Sequence, residues 1–263
     1  MKPLSVLLIV LLLIGCESKQ KEMKKIIFLH HSTGQNIWLG NTHPYVNRFI
    51  KKSDVRTFFN RRNRKNNTNY IITDRFFPKA EPYGWKNYPY DYYNIWVKNA
   101  GYNLYKGEPT LEILTKEFDI IIFKHCFPVS NILDETGMPD INSEEKRLEN
   151  YKLQYNALKI KMHEFPDKKF IVWTPAVNVK NLLSQVEAER TKEFYEWVKN
   201  VWDEKGDNIY VFDFYNYETE GGLFLQDKYA YSSDNSHPNK QFSARIAPLF
   251  AQFIVDVEEG VCE

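Results

Sequence analysis

Two short motifs near opposite ends of the chain carry the residue types that acyl transfer requires. His30-His31-Ser32-Thr33-Gly34 follows an apolar run, and Asp234-Asn235-Ser236-His237-Pro238 precedes the last amphipathic segment. Acyl transfer uses a weak oxygen nucleophile, an imidazole that takes its proton, and a carboxylate that fixes the imidazole tautomer. If the two motifs converge in the fold, they supply a serine, a histidine and an aspartate for this chemistry.

The spacing within the second motif suggests how its two titratable residues would cooperate. Asp234 and His237 are three residues apart, so we expect one turn of chain to bring the carboxylate to the imidazole Nδ1–H, with Nε2 facing Ser32. The alternative is that the motif is a turn followed by a helix cap, since Asp, Asn and Ser favour both. Ser32 taken alone would also be read as a helix cap, and only the pairing of the motifs favours chemistry.

Apolar strands alternate with amphipathic segments along the chain. Short continuous apolar runs predict strands buried on both faces of a parallel sheet, at residues 25–29, 119–124, 169–174 and 208–213. Spacings of three and four between apolar residues predict helices over residues 144–163, 187–203 and 241–257. The sequence therefore predicts an α/β fold, a doubly wound parallel sheet with helices on both faces.

The candidate residues map to one edge of this sheet. Ser32 lies just after the first predicted strand, residues 126–131 follow the second, and His237 precedes the last predicted helix. Open parallel sheets bind ligands outside the carboxyl ends of their strands. We therefore expect the three positions to lie close together.

With Ser32 after the first strand and Asp234-x-x-His237-Pro238 before the last helix, residues 25–257 resemble the SGNH (GDSL-like) hydrolase family. The resemblance implies an α/β/α sandwich with flavodoxin-like layering, and serine esterase or acetyl-hydrolase chemistry without a metal or cofactor. It also implies that Ser32 is the nucleophile, His237 the general base and acid, and Asp234 its orienting partner.

The same resemblance implies an oxyanion hole with three donors. These are the Ser32 backbone N–H, a glycine N–H after the second strand, and an asparagine side chain after the third. Gly107 is the candidate glycine, with Gly84 and Gly101 as alternatives, and Asn131 is the candidate asparagine. The alternative is that Asn131 only forms part of a turn.

Other motifs argue against rival chemistries. No serine lies in a Gly-x-Ser-x-Gly motif, which disfavours an α/β-hydrolase. Zinc-type spacings such as His-x-x-x-His and Cys-x-x-Cys are missing, so no metal is expected. His31 and His125 are candidates for lining the pocket, with packing or a hydrogen bond as the default role. Cys126 beside His125 is read as a buried cysteine rather than a nucleophile.

The first residues have the pattern of an export signal. A positive start and an apolar run at residues 4–14 lead to Leu13-Ile14-Gly15-Cys16, which resembles a bacterial lipoprotein signal in which Cys16 is lipidated. The alternative is an ordinary secretory signal. We therefore divide the chain into a signal at residues 1–16, a tether at 17–24 and a single domain at 25–263. Cys126 and Cys262 could be bridged or free.

Residues 51–107 interrupt the strand–helix alternation and are expected to be an insertion in which residues 70–73 could form a strand and the rest is largely long loop. A basic run at residues 61–65 is read as a solvated face, or as a contact for an anionic glycan. An aromatic stretch at residues 83–105 either stacks on sugar or holds the insertion onto the domain. The net charge of +1 gives no reason to expect a nucleic-acid partner.

These observations lead to one expected function and two alternatives. We expect a serine hydrolase of carboxylic esters that removes short acyl groups from carbohydrate, or acts on another small ester. It would be held at a membrane through Cys16 in the bacterial cell envelope, either periplasmic or surface-exposed. The alternatives are a glycan O-acetyltransferase using the same residues, and a non-catalytic glycan-binding or envelope-scaffold lipoprotein.

Overall fold

A parallel sheet forms the centre of the fold in the computed structural model, which describes residues 22–261. In chain order its strands are β1 Lys24–His30, β2 Tyr70–Phe76, β3 Ile120–Phe123, β4 Lys169–Trp173 and β5 Ile209–Phe212. Within the described part the sheet has five strands in the order β2-β1-β3-β4-β5, all parallel to their neighbours. The predicted α/β fold class is therefore confirmed.

The middle strands are apolar on both faces because helices cover the sheet from both sides. Every residue of β3 is buried, and so is the run from Ile26 to Leu29 in β1. The strand order reverses between β1 and β3, since the chain crosses from β1 outward to β2 and then back to β3. In sheets of this order the crevice at that reversal is where ligands bind.

Helices form a layer on each face of the sheet. They are α1 Ser32–Leu39, α2 Pro44–Ile50, α3 Asp54–Asn66, α4 Pro89–Tyr93, α5 Leu111–Glu117, α6 Leu148–His163, α7 Gln185–Trp197, α8 Phe214–Thr219 and α9 Lys240–Glu258. One apolar cluster joins one face of the sheet to α1, α3 and α9, and a second joins the other face to α4, α5, α6 and α7. Ser32 therefore starts a helix of the first layer.

The predicted helices are present with shifted ends. Helix α6 begins at Leu148 rather than near residue 144, because the Lys146 carbonyl accepts a hydrogen bond from the Leu133 N–H and holds the chain extended there. Helix α7 begins earlier than expected, at a capping box in which Ser184 and Glu187 exchange hydrogen bonds. The last helix, α9, extends the expected segment by one residue at each end.

The expectation that residues 51–107 are mostly an inserted long loop is wrong. Ser53 caps α3, which places the basic run on a helix whose apolar residues Val55 and Phe59 face the core. Strand β2 then forms the edge of the sheet beside β1. Only the residues after β2 depart from the alternation of strands and helices. Helix α3 and strand β2 belong to the α/β framework.

Most rings of the aromatic stretch lie in the core. Tyr88, Tyr92 and Trp96 are buried within the cluster that includes α6. Asn87 braces this region: its Nδ2 donates to the Phe77 carbonyl at 3.0 Å and its Oδ1 accepts from the Cys126 N–H at 2.7 Å. The stretch therefore ties the chain after β2 to the end of β3, which favours the packing interpretation.

A small hairpin precedes α9. Strands β6 Ala230–Ser232 and β7 Asn235–Pro238 pair antiparallel, apart from the parallel sheet. Residues 235–238 of the second motif thus lie on a strand and Asp234 lies in the turn before it, whereas we expected a turn leading into the helix.

Several expectations concern residues outside the described range. The signal at residues 1–16, the lipidation site Cys16, most of the tether and Cys262 all lie there. Cys126, which is described, is a free thiol. None of the helices within residues 22–261 is both long enough and apolar enough to cross a bilayer.

Candidate active site

Ser32 lies where β1 passes into α1. His31 is the extended residue that precedes the helix, and Ser32 is its first helical residue, half-buried at the carboxyl edge of the sheet. Gly34 lets α1 approach the strand closely: a Cβ at this position would lie 2.4 Å from His30 Cβ and 3.0 Å from Lys124 Cδ. The close fit fixes the position of the Ser32 hydroxyl relative to β1 and β3.

His237 reaches Ser32 from the hairpin. The distance between His237 Nε2 and Ser32 Oγ is 2.8 Å, within the range of a good hydrogen bond. The Phe127 ring packs edge-on against the imidazole, with ring centroids 5.0 Å apart. The two residues are 205 positions apart in the chain, so the fold brings together the nucleophile and base expected from the sequence.

The imidazole partner is Asn235, and the expected contact with Asp234 is wrong. His237 Nδ1 lies 2.7 Å from Asn235 Oδ1, whereas the exposed Asp234 carboxylate accepts a hydrogen bond from the Ser232 hydroxyl. The cause is the hairpin: Asn235 and His237 lie two residues apart on β7 and share its half-buried face, whereas Asp234 lies in the turn before the strand.

An amide oxygen at Nδ1 fixes the tautomer without adding charge. Asn235 Oδ1 can only accept there, so Nδ1 carries the proton and Nε2 is left as the acceptor for the Ser32 hydroxyl. The same oxygen also accepts from the His237 backbone N–H at 3.1 Å. Asn235 therefore holds both the ring and the backbone of the histidine.

Buried hydrogen bonds hold β7 in place. The Ser236 hydroxyl donates to Asn178 Oδ1 at 2.8 Å and accepts from the Val179 N–H at 3.0 Å. On the other side, Asn36 Nδ2 of α1 donates to the Pro238 carbonyl at 3.2 Å. Strand β7 is thus tied to the chain after β4 and to the helix that carries Ser32, which fixes the distance between nucleophile and base.

Backbone donors for an oxyanion lie at the start of α1. The first N–H groups of a helix have no acceptor within the helix, and the His31 side chain does not cap them. The Ser32 N–H, the expected donor, belongs to this set. Because the helix dipole also places partial positive charge there, this end of α1 suits a developing negative charge.

The structure does not bring the expected glycine donor to Ser32. Gly107 is exposed in a tight turn closed by two hydrogen bonds between Tyr105 and Glu108, and its φ of 78° is the conformation that such a turn requires. The position of its absent Cβ lies 3.6 Å from the Tyr83 hydroxyl. Within the described residues, no contact joins Gly107 to Ser32 or His237.

The expected asparagine donor is also engaged elsewhere. Asn131 Oδ1 accepts from Asn178 Nδ2 at 3.3 Å, and its side chain is hydrogen-bonded to Glu187 at the start of α7. These contacts brace its loop against the chain after β4 and against α7, a role that the sequence did not indicate. The free N–H groups at the start of α1 therefore remain the described donors that the structure places beside Ser32.

The two candidate pocket histidines differ in position. His31 is half-buried beside Ser32, and its Nε2 lies 2.5 Å from the Pro78 carbonyl. His125 does not line the pocket: it is buried in the aromatic core, with its ring 4.9 Å from that of Tyr92. Burial lowers the pKa of His125 to about 3 and keeps it neutral. His125 follows the end of β3, and the chain there directs its side chain into the core.

A buried polar cluster of Lys124, Cys126 and Glu218 lies behind the site. Lys124 is fully buried, with Nζ 3.5 Å from Cys126 Sγ. Glu218 is also fully buried, and its Oε2 accepts from the Val177 N–H at 2.9 Å. Burial lowers the pKa of Lys124, and burial raises the pKa of Glu218 to about 8.

This cluster acts on His237 through its charge. Burial is the larger cause of the lowered pKa of His237, and the nearby charge of Lys124 lowers that pKa further. A lowered pKa keeps the imidazole neutral, and so able to accept a proton, at pH values below its ordinary 6.5.

Three residues near the site were not found from the sequence. Asn235 was within the quoted motif, and a strand period of two counted back from His237 would have selected it. Asn178 follows β4, at the same edge of the sheet as Ser32, but nothing in its neighbours indicates a brace. Lys124 ends a predicted strand, and a lysine at a buried position is a signal in itself.

The described side chains form no metal centre. Comparisons of the sequence with known proteins found no match. Within residues 22–261, no three His, Cys, Asp or Glu side chains are grouped so that they could hold an ion. A scan against models of known protein families finds no match, and a comparison with curated proteins finds no significantly similar sequence.

Proposed function

We propose that the protein hydrolyses carboxylic esters through an acyl-enzyme formed on Ser32. One observation carries the proposal: Ser32 Oγ lies 2.8 Å from His237 Nε2, while His237 Nδ1 lies 2.7 Å from Asn235 Oδ1. A hydroxyl, an imidazole and an acceptor that orients the imidazole form the arrangement by which an enzyme activates a weak oxygen nucleophile.

In the first half of the reaction Ser32 acquires the acyl group. Its Oγ attacks the ester carbonyl carbon while its proton passes to His237 Nε2. The tetrahedral intermediate then collapses, the alcohol leaves with the proton from Nε2, and the acyl group remains on Ser32 as an ester.

In the second half a water molecule takes the place of the serine. His237 Nε2 removes a proton from the water, whose oxygen attacks the acyl carbon. Collapse of the second tetrahedral intermediate returns the proton to Ser32 Oγ and releases the carboxylic acid. Asn235 keeps Nδ1 protonated throughout, so Nε2 can accept and donate in turn.

The negative oxygen of each intermediate is stabilised by the start of α1. The free N–H groups of the first turn, including that of Ser32, are oriented donors that need no rearrangement during the reaction.

For the substrate we propose short acyl esters of carbohydrate, or another small ester, outside the cytoplasm. The resemblance to SGNH hydrolases supports the short acyl group. The aromatic stretch supports the carbohydrate only weakly, because Tyr88, Tyr92 and Trp96 are buried and have no free face for a sugar.

Hydrolysis of p-nitrophenyl acetate by the full chain tests the proposal. Ser32→Ala should lower kcat/KM by about 1,000-fold or more, because removal of the nucleophile removes the covalent route. The matched control is Ser232→Ala, whose hydroxyl contacts Asp234 in the same hairpin region. It should stay within about threefold of the unchanged chain.

Two further measurements make the result unambiguous. A fluorophosphonate should add to the peptide that contains Ser32 and not to the same peptide of Ser32→Ala, and a chelator should leave the rate unchanged. Equal rates for the unchanged chain and Ser32→Ala, with no adduct on the peptide, would contradict the proposal and favour a non-catalytic binding or scaffold role.

A further inference from the structure

Helix α2 exposes its apolar side chains to solvent. Within Pro44–Ile50 no residue is buried. The exposed fractions are 65% for Tyr45, 38% for Val46, 76% for Phe49 and 68% for Ile50. These side chains contribute no stabilisation through burial in the core. They leave a hydrophobic surface that is not covered by the described chain.

These side chains lie on one side of the helix. Tyr45 and Phe49 are four residues apart, and so are Val46 and Ile50, so the two pairs form adjacent rows on one face. The opposite side carries Asn47, whose Nδ2 donates to the Lys52 carbonyl and so closes the end of the helix. Helix α2 thus presents a compact apolar face held by its own loop.

Positive charge surrounds this face. Arg48, Lys51 and Lys52 lie within or directly after α2, and no acidic residue occurs between residues 43 and 53. The next acid along the chain, Asp54, accepts hydrogen bonds from the Asn41 N–H and the Thr42 hydroxyl.

We propose that α2 docks the protein on an anionic membrane surface. Tyr45, Phe49 and Ile50 would enter the interface between headgroups and acyl chains, while the basic residues contact lipid phosphates. A helix with an apolar face and flanking lysine or arginine residues is the arrangement that lies in such an interface. Each basic residue near an anionic leaflet adds to the attraction.

The charges favour a membrane over a second copy of the chain. In a two-fold symmetric dimer formed through α2, the same surface meets itself, so Arg48, Lys51 and Lys52 of both copies would be brought together. Like charges at such an interface repel each other. An anionic lipid surface instead neutralises them.

Docking through α2 would hold the candidate site near the bilayer. Helix α1, which begins at Ser32, ends at Leu39, and four residues separate it from α2. An eight-residue helix spans about 12 Å. The inference does not depend on the proposed esterase activity, since α2 contains none of its residues.

The test places a fluorescent probe on α2 and on a matched position. Ile50→Cys and Ile160→Cys are made in the full chain carrying Cys16→Ser and Cys262→Ser, and each is labelled with an environment-sensitive fluorophore. Ile160 has the same exposed fraction, 68%, but lies on α6 in the opposite helix layer. Cys126 is buried, and the labelled parent chain corrects for any reaction there.

Brominated lipids then report which probe enters the membrane. On vesicles of phosphatidylcholine and phosphatidylglycerol, quenching at position 50 should exceed quenching at position 160 about fivefold or more. Neutralising Arg48, Lys51 and Lys52 to Gln should weaken vesicle binding through α2 by about 100-fold, as should vesicles of phosphatidylcholine alone. Circular dichroism of each variant verifies the fold.

Three results would overturn the inference. The first is equal or absent quenching at the two positions. The second is quenching at position 50 that is the same on neutral and anionic vesicles, which would remove the role of charge. The third is a change at position 50 that appears without lipid and grows with protein concentration, which would assign the face to a second copy of the chain.

Discussion

Two groups of polar side chains, one at the candidate site and one behind it, differ in their access to solvent. The reactive pair, Ser32 and His237, is half-buried and joined by a hydrogen bond of 2.8 Å. The buried polar cluster of Lys124, Cys126 and Glu218 lies within the protein, and Glu218 Oε1 has no hydrogen-bond partner there. The difference separates two tasks: the pair can meet a substrate, whereas the cluster can act on it only through charge.

The largest expected effect tests whether the chemistry belongs to the pair. His237→Gln should lower kcat/KM for p-nitrophenyl acetate by about 1,000-fold or more, because Ser32 loses its proton acceptor. Cys126→Ser, the matched change in the buried cluster, keeps a hydrogen-bond acceptor for Lys124 and should stay within about threefold of the unchanged rate. Loss of activity in Cys126→Ser with retention in His237→Gln would reverse the assignment of the two groups.

The next effect is a change in folding stability with pH, and it tests the buried polar cluster through Glu218. The folded pKa of Glu218, about 8, lies above its ordinary 4.5 because of burial. The folded state therefore binds this proton more tightly than the unfolded state. The stability it contributes is fully present below about pH 4.5 and is lost as the pH rises through about 8.

Glu218→Gln removes this dependence, because a glutamine oxygen can still accept from the Val177 N–H without titrating. Between pH 5 and 8 the unfolding free energy of the unchanged chain should fall by about 3 kcal/mol relative to the variant. Urea unfolding at several pH values in this window measures it. Parallel curves for the two proteins would mean that Glu218 is not held protonated by the fold.

A smaller effect separates the two residues that could orient His237. Asn235→Ala should lower kcat by about 10- to 100-fold, because the ring loses the acceptor that fixes its tautomer. Asp234→Ala should stay within about threefold, since its carboxylate contacts Ser232 and is exposed. A greater loss in Asp234→Ala than in Asn235→Ala would show that the carboxylate orients the imidazole during the reaction.

The smallest effect tests whether the buried polar cluster acts on His237 through the charge of Lys124. Lys124→Met removes a buried positive charge that lowers the pKa of His237, so that pKa should rise. The acid limb of the pH profile of kcat/KM should then move to higher pH without reaching that of a free imidazole, because burial, the larger cause, remains. Lys240→Met, an exposed lysine beside β7, is the control and should leave the limb in place.

The sequence predicted those parts of the site that depend on residue type and strand ends. Ser32 and His237 stand out because only certain side chains can attack an ester or move its proton, and a continuous apolar run locates the strand before Ser32. These signals are local. They needed no knowledge of how the loops pack.

The sequence failed where the answer depended on packing or on local backbone form. The resemblance implies Asp234 as the partner of His237 and the spacing predicts a turn, but Asn235 lies on β7 two residues before His237 and Asp234 lies in the turn before that strand. Gly107 and Asn131 were placed by their order along the chain. Their loops instead close a tight turn and brace α7, which are contacts between distant segments.

Because His237 lies on a strand, the function of the hairpin should depend more on the number of residues in it than on their identities. Because alternate side chains of β7 face opposite sides, the loss of one residue between Asn235 and His237 would turn one of the two away from Ser32. A substitution at Asp234 leaves both in place. A library of variants in this segment should therefore retain function across many replacements at position 234 and lose it with nearly every insertion or deletion. That pattern would distinguish a strand-borne imidazole from one carried by a flexible loop.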